Sequence, residues 1–289
     1  MGAWTEVAAD VFQARYQPLD VSVCVVRGGD GLLVVDTRSS HREADEIRAD
    51  LLALGDLPVR WVVNTHAHFD HSFGNHRFGP DSDLGAPIYG HQRVPAHLEE
   101  YEVPMLARWV EEEAEPVADW REVVITPPSV LVDERAVLDC GEREVELVHL
   151  GRGHTDNDLL VHVPDVATWL VGDVLEESGP PMYGSGCFPL EWPATVAALR
   201  ERLDEGATLV PGHGAPVGPA FAADQEADLR AVADLITSLW SSGVPVADAV
   251  REGGARWPFP ADGLEPAVVA GYQQLIGQER SAVYDRPHA

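Results

Sequence analysis

Asn64-Thr65-His66-Ala67-His68-Phe69-Asp70-His71 (residues 64–71) puts three imidazoles and a carboxylate into one short run. The run follows Val59-Arg60-Trp61-Val62-Val63, an apolar segment that reads as a strand. In an extended chain, side chains two positions apart share a face, so His66 and His68 are expected to reach one metal ion. The turn after them is expected to aim Asp70 and His71 at a second. Imidazole and carboxylate are good ligands for zinc and for other first-row metals.

Three further positions share a context with this run. His154 lies in Gly153-His154-Thr155, Asp173 in Gly172-Asp173-Val174 and His213 in Gly212-His213-Gly214. Each is expected to end an apolar strand, and each directly follows a glycine. Glycine permits unusual backbone angles or close approach, and strand-end loops are where a rigid scaffold presents functional side chains.

Outward from these motifs the chain alternates strand-like and helix-like segments. Residues 21–37 read as two strands joined by Gly-Asp-Gly, and 39–55 as a helix with a serine start and a glycine stop. Residues 86–92 read as a short strand, 143–158 as a strand entering a loop, 159–175 as a hairpin-like strand pair, 191–206 as an amphipathic helix and 207–214 as a strand. From about 220 to 289 the chain reads as a helical tail that becomes irregular. Two similar strand-rich halves with helices outside predict a sandwich of sheets with helical covers, and 1–289 reads as a single domain.

With these motifs in this order, the sequence resembles the metallo-β-lactamase superfamily, over about residues 20 to 215. The marks are Val34-Val35-Asp36-Thr37, the H-x-H-x-D-H run, Gly-His-Thr at 153–155, Gly-Asp at 172–173 and Gly-His-Gly at 212–214. The resemblance implies an α/β fold, the αββα sandwich of two mixed sheets flanked by helices. It implies two zinc ions, one on His66, His68 and His154 and the other on Asp70, His71 and His213, with Asp173 bridging. Fe2+ and Mn2+ are the alternative metals. Asp36 matches a position that supports the ligand loop. The implied activity is a hydrolase in which water held between the metals attacks the carbonyl of a small ester, thioester, lactone or amide, with Asp70 orienting the nucleophile and moving its proton. A β-lactam is expected at most as a side substrate, because position 173 is Asp, as in the glyoxalase II, lactonase and RNase Z branches. A mononuclear iron, persulfide-dioxygenase-like oxidoreductase shares the motif and stands as the alternative.

Composition narrows the partners. The chain has 48 acidic and 20 basic residues, a formal charge of −28, and every basic residue is Arg. Nucleic-acid binding draws its affinity from Lys and Arg neutralising phosphates, so a small-molecule substrate is expected and no nucleic acid. The N-terminus lacks a basic start followed by an apolar run, and no stretch approaches the roughly 18 apolar residues of a membrane helix. A cytoplasmic protein without a membrane partner is therefore expected. Three cysteines, Cys24, Cys140 and Cys187, read as buried thiols, with Cys187 the one able to approach the site.

The substrate pocket is read from what surrounds the motifs. After Asp173, Val174 to Pro193 is similar to the cyclase and SoxH-like members, and Met182, Tyr183 and Phe188 are its candidate pocket residues, with Trp192 packing the next helix. Residues 93–120 form an acidic insertion rich in Trp and Tyr, with prolines at 95, 104 and 116. It reads as irregular helices, either a lid or a solvated connection, and its aromatic content makes it the expected cover of the metal site, with Trp109 a candidate pocket residue. Part of the tail (Trp240, Trp257 and Phe259), or a partner subunit of a homo-oligomer, is the other available cover. Of the remaining histidines, His41, His76, His149, His162 and His288 read as structural or surface residues, while His91 and His97 are the expected exceptions.

Overall fold

The computed structural model describes residues 4–284, and their side chains as far as 278; His288 lies outside them. The chain begins with β1 (Thr5–Ala8), β2 (Val11–Tyr16), β3 (Val21–Arg27) and β4 (Leu32–Val35), then α1 (His41–Leu51). Ser40 caps α1 by accepting the Glu43 amide N–H, as its place before a helical pattern predicts. β5 (Val59–Val63), the short α2 (Phe69–Ser72) and β6 (Ile88–His91) follow. The insertion is α3 (Val94–His97), a π-helical turn at Leu98–Glu102, α4 (Val103–Glu111) and α5 (Val117–Glu122). Next come β7 (Val130–Val132), β8 (Arg135–Asp139), β9 (Glu144–Val148), β10 (Leu160–Val163) and β11 (Thr168–Glu176). The chain ends with α6 (Trp192–Arg200), β12 (Thr208–His213), α7 (Pro219–Ser241), α8 (Val246–Gly253) and α9 (Glu265–Tyr284). Among the described residues the tail is helical as far as 284, with short turns and loop at 254–264 between α8 and α9.

Strand alternation builds the layers. In β3 and β4, Val23, Val25, Leu32 and Val34 face one side and pack against Ile47 and Leu51 of α1. Cys24, Val26, Leu33 and Val35 face the other and meet Leu147, Val161 and Val210 of the second half. The far face of that half, with Leu160, Trp169, Val171 and Leu209, packs under Val196, Leu229 and Ile236 of α6 and α7. The order is helix, sheet, sheet, helix: the mixed αββα sandwich. β11 is buried along its whole length, as expected of a strand covered on both faces.

The two sheets are joined into one hydrogen-bonded order, β7-β6-β5-β4-β3-β12-β11-β10-β9-β8, with β1 and β2 leading onto β3. The junction is a single rung, Val21 opposite His213. One metal-ligand candidate therefore lies at the seam between the halves. Only some candidates sit where the strand-end expectation put them. His213 ends β12 and residues 64–71 follow β5, but His154 lies well into the loop after β9 and Asp173 lies inside β11. The ladder between β11 and β12 shifts register on either side of Gly172, which has φ +53°. This irregularity, not a strand end, turns Asp173 toward the seam.

Candidate metal centre

His66, His68, His154, Asp70, His71, Asp173 and His213 converge at the seam, all buried. His68 Nδ1 lies 3.1 Å from His66 Nε2 and 2.8 Å from His154 Nε2. Asp173 Oδ2 is 3.4 Å from His154 Nε2 and 3.9 Å from His66 Nε2. On the other side, His71 Nε2 and His213 Nε2 are 3.3 Å apart. Asp70 Oδ2 is 3.6 Å from the first and 3.3 Å from the second. Asp173 faces this group too, with Oδ1 3.2 Å from His71 Nε2 and Oδ2 3.3 Å from His213 Nε2. The structure thus brings the seven candidate ligands together, with His66, His68 and His154 on one side, Asp70, His71 and His213 on the other, and Asp173 facing both.

The second ring nitrogen of each histidine has its own partner. His71 Nδ1 donates to Asp36 Oδ2 at 2.8 Å. His213 Nδ1 donates to the Leu19 carbonyl at 2.8 Å, and His154 Nδ1 to the Met182 carbonyl at 3.0 Å. His68 Nε2 donates to the Ser185 carbonyl at 3.0 Å. The Thr65 hydroxyl spends its hydrogen on Asp36 Oδ2 at 2.8 Å, so it accepts from His66 Nδ1 at 3.1 Å. With their outer nitrogens engaged, the five rings all turn the other nitrogen inward, where the neutral ring offers a lone pair. Asp173 Oδ1 is buried without a hydrogen-bond partner. Such an arrangement of acceptors fits a cation and little else.

Asp36 organises much of this. Its carboxylate accepts the Thr65 amide, the Thr65 hydroxyl and the His71 ring N–H, and its backbone is held at φ +66°. We expect Asp36→Asn to lower metal affinity or turnover by about 10- to 100-fold, checked by chelator competition on the purified variant.

The two ligand sets differ in proton affinity. Burial holds His66, His68 and His154 below the ordinary imidazole range, His154 at about 3. Burial acts the same way on His71 and His213, but Asp173 and Asp70 outweigh it and both rings are raised. Protons therefore occupy His71 and His213 at a higher pH than the other three rings. Metal affinity is expected to fall as pH is lowered, checked by chelator competition across a pH series; an affinity that does not change with pH would contradict this.

A cleft of about 340 Å³ opens over the cluster, walled by Leu19, Phe69, Met105 and Met182 and by the carboxylates of Glu102 and Glu176. The insertion supplies Glu102 and Met105, so this segment reaches the site as expected. Of the predicted pocket residues, Met182 lines the cleft and is 65% exposed. Tyr183 does not. Its neighbour's carbonyl is tied to His154, and Tyr183 turns the other way into the core, edge-on to Trp192. Phe188 also lies elsewhere, in a groove of about 1040 Å³ that Cys187 lines too, under the Arg152 guanidinium. Trp109 misses the cleft by one side chain. It lines an adjoining hollow of about 380 Å³ and stands edge-on to Phe69. From the tail, Trp257 is buried in the helical core, and Phe259 lines a hollow with Met182 and Tyr183 outside the metal cleft.

His97 belongs to the surroundings of the site and His91 does not. His91 stacks on His149 at 4.1 Å, whereas the His97 ring lies 5.3 Å from His68, beside Glu102. Asn157 accepts the Ala67 amide and donates to His97 Nδ1. That places the His97 proton on Nε2, toward Glu102, so His97 offers no inward lone pair and acts as scaffold. Sequence reasoning did not single out Glu102, Glu176, Asn157 or Asp158. Asp158 grips Thr155, next to His154, through its amide and hydroxyl. The Thr155-Asp156-Asn157-Asp158 run is a turn-forming pattern that signals such local hydrogen bonding; a lone Glu in an acidic segment signals nothing.

Comparison with known proteins agrees with this geometry. Residues 16–213 match the family model described as the metallo-beta-lactamase superfamily. Bovine and human proteins named acyl-coenzyme A thioesterase MBLAC2 are 24% and 25% identical over 206 residues, covering 66% of this chain and 72% of each relative. Among solved structures, a metallo-beta-lactamase from Pontibacter korlensis superposes with a TM-score of 0.65 at 17% identity, covering 80% of this chain and 99% of that one. The sec-alkylsulfatase Pisa1 from Pseudomonas sp. superposes with a TM-score of 0.75 at 18% identity, covering 100% of this chain and 52% of that one. These two likenesses speak for the fold. Taken with the ligand set at the seam, the family match makes this chain a metal-dependent hydrolase of the metallo-β-lactamase superfamily.

Proposed function

We propose that the chain is a dinuclear zinc hydrolase of small acyl compounds: esters, thioesters, lactones or amides. The observation that carries this is the orientation of five imidazoles, each with its outer nitrogen occupied, around a shared carboxylate. His66, His68 and His154 would hold one ion and Asp70, His71 and His213 the other, with Asp173 shared. Two bound ions supply Lewis-acid polarisation of a carbonyl oxygen and a nucleophilic water deprotonated near neutral pH. Asp70 faces the cleft from the second set. Its carboxylate is held below the ordinary range despite burial, chiefly by His71 and His213, so it stays ionised and would orient the attacking water by accepting its hydrogen bond. Leu19, Phe69, Met105 and Met182 exclude bulk water around the acyl group.

Thioesters are the first substrates to test, on the strength of the thioesterases named among the relatives. No arginine lines the cleft among the described residues; this and the charge of −28 support small-molecule substrates over nucleic acid. The test is a panel of acyl thioesters, aryl esters, lactones and β-lactams, run with the zinc-loaded protein beside an oxygen-uptake assay on a glutathione persulfide. Hydrolysis of an acyl compound without oxygen consumption is expected. Oxygen consumption by an iron-loaded form, with no hydrolysis, would replace this reading with the mononuclear oxidoreductase.

A further inference from the structure

The hollow beside the metal cleft has no part in holding metal, yet it shares two wall residues with the cleft, Leu19 and Phe69. Both are tied to the ligands through the backbone. Phe69 stands between His68, a ligand of one set, and Asp70, a ligand of the other. The Leu19 carbonyl receives the His213 ring N–H. A group lying against these two side chains is therefore beside the reacting centre.

We propose that this hollow binds the acyl group of the substrate and that the group it takes is apolar and uncharged. The inference rests on the acyl-hydrolase reading and adds the substrate class. The walls are aromatic: Trp109 is edge-on to Phe69 at 5.0 Å, Trp120 is edge-on to Phe69 at 6.2 Å, and the two indoles are 4.9 Å apart. Phe69 and Trp109 are only half-buried, so they keep apolar surface that a ligand would cover. The hollow and the cleft, about 380 and 340 Å³, are each the size of a small-molecule site.

Charge then selects among acyl groups. The cations in the hollow are Arg38 and Arg42, and both are already paired. Arg38 lies 2.7 Å from Glu46 and 3.3 Å from Glu43, with its guanidinium over the Tyr16 ring. Arg42 lies 2.6 Å from Glu46 and 2.8 Å from Asp119. An acyl group ending in a carboxylate would meet Glu43 and Glu115 with no spare cation. Straight aliphatic or aromatic monoacyl groups fit; dicarboxylic ones do not. The larger outer groove is the weaker candidate, because only Gly184 is common to it and the metal cleft.

The test has a turnover arm and a binding arm. In the first, kcat/KM of the zinc-loaded protein is measured on thioesters from acetyl to decanoyl. It should rise by about threefold to fourfold per methylene until the hollow is full. Trp109→Ala should flatten that rise, and Trp109→Phe should restore part of it. In the second, octanamide and the monoamide of octanedioic acid are titrated by calorimetry and tryptophan fluorescence against parent and variants of verified zinc content. Octanamide should bind at least tenfold more tightly than the acid, and more weakly to Trp109→Ala. A flat length series with acetyl thioester still turned over would overturn the hollow and leave the hydrolase standing. So would a rise that Trp109→Ala leaves intact but a substitution of Val269 in the outer groove removes. If no acyl compound is turned over, the hydrolase reading fails, and octanamide binding with its dependence on Trp109 decides the hollow alone.

Discussion

Asp173→Ala should reduce turnover by more than about 100-fold, beyond what loss of a supporting residue costs in such sites, and should weaken metal retention at both ligand sets. Among the described residues Asp173 is the one carboxylate that faces both ligand sets, within 3.4 Å of His154, 3.2 Å of His71 and 3.3 Å of His213. Without it, three neutral imidazoles remain on one side and two imidazoles with Asp70 on the other. Each set loses a ligand and the pair loses its shared anion. Burial alone would push the Asp173 carboxyl up, but His213, His71, His154 and His66 hold it well below its ordinary range, so it is an anion ready for cations. Asp173→Asn, nearly the same shape, should lie between the parent and Asp173→Ala in metal affinity. Full activity in either variant would remove Asp173 from the site.

Gly212→Ala should be nearly as damaging, although it adds one methyl group and removes no ligand. A Cβ at 212 would stand 1.8 Å from Asp173 Oδ1, 2.9 Å from the Gly172 carbonyl carbon and 3.0 Å from the Asp173 amide nitrogen. Two of these are backbone atoms of β11 and cannot swing aside. Either Asp173 leaves its position or β12 moves away from β11, and the next residue on β12 is His213. Overpacking of this kind costs about 1–3 kcal/mol of stability. The larger consequence should be loss of metal from a protein that still folds, read as an intact circular dichroism spectrum, a lowered Tm and depleted zinc.

The ligands that were plainest in the sequence are those whose spacing is local. His66, His68, Asp70 and His71 lie on one strand exit, and two-residue periodicity is enough to group them. His154, Asp173 and His213 are marked by their glycine contexts, but of the three only His213 ends a strand. Asp173 reaches the site from inside β11, through a register shift at Gly172 that depends on pairing with β12. No local pattern encodes that pairing. Pocket side chains were least legible, because an irregular loop has no parity from which to tell facing from buried. Met182 and Tyr183 are adjacent, yet one faces the cleft and the other the core. In the insertion, aromatic content pointed to the right segment, but Glu102 and Met105 reach the cleft while Trp109 stands one cavity away. The layered fold followed more directly, since apolar residues on both faces of β3, β4 and β11 require cover on both sides.

The most direct test of the account is the metal content of the purified protein under saturating zinc, measured by mass spectrometry of the native protein and by elemental analysis. Seven buried ligands in two sets around one shared carboxylate predict two zinc ions per chain, falling toward one or fewer in Asp173→Ala. A parent protein that takes up only one ion at saturation would contradict the dinuclear site on which the proposed hydrolysis depends.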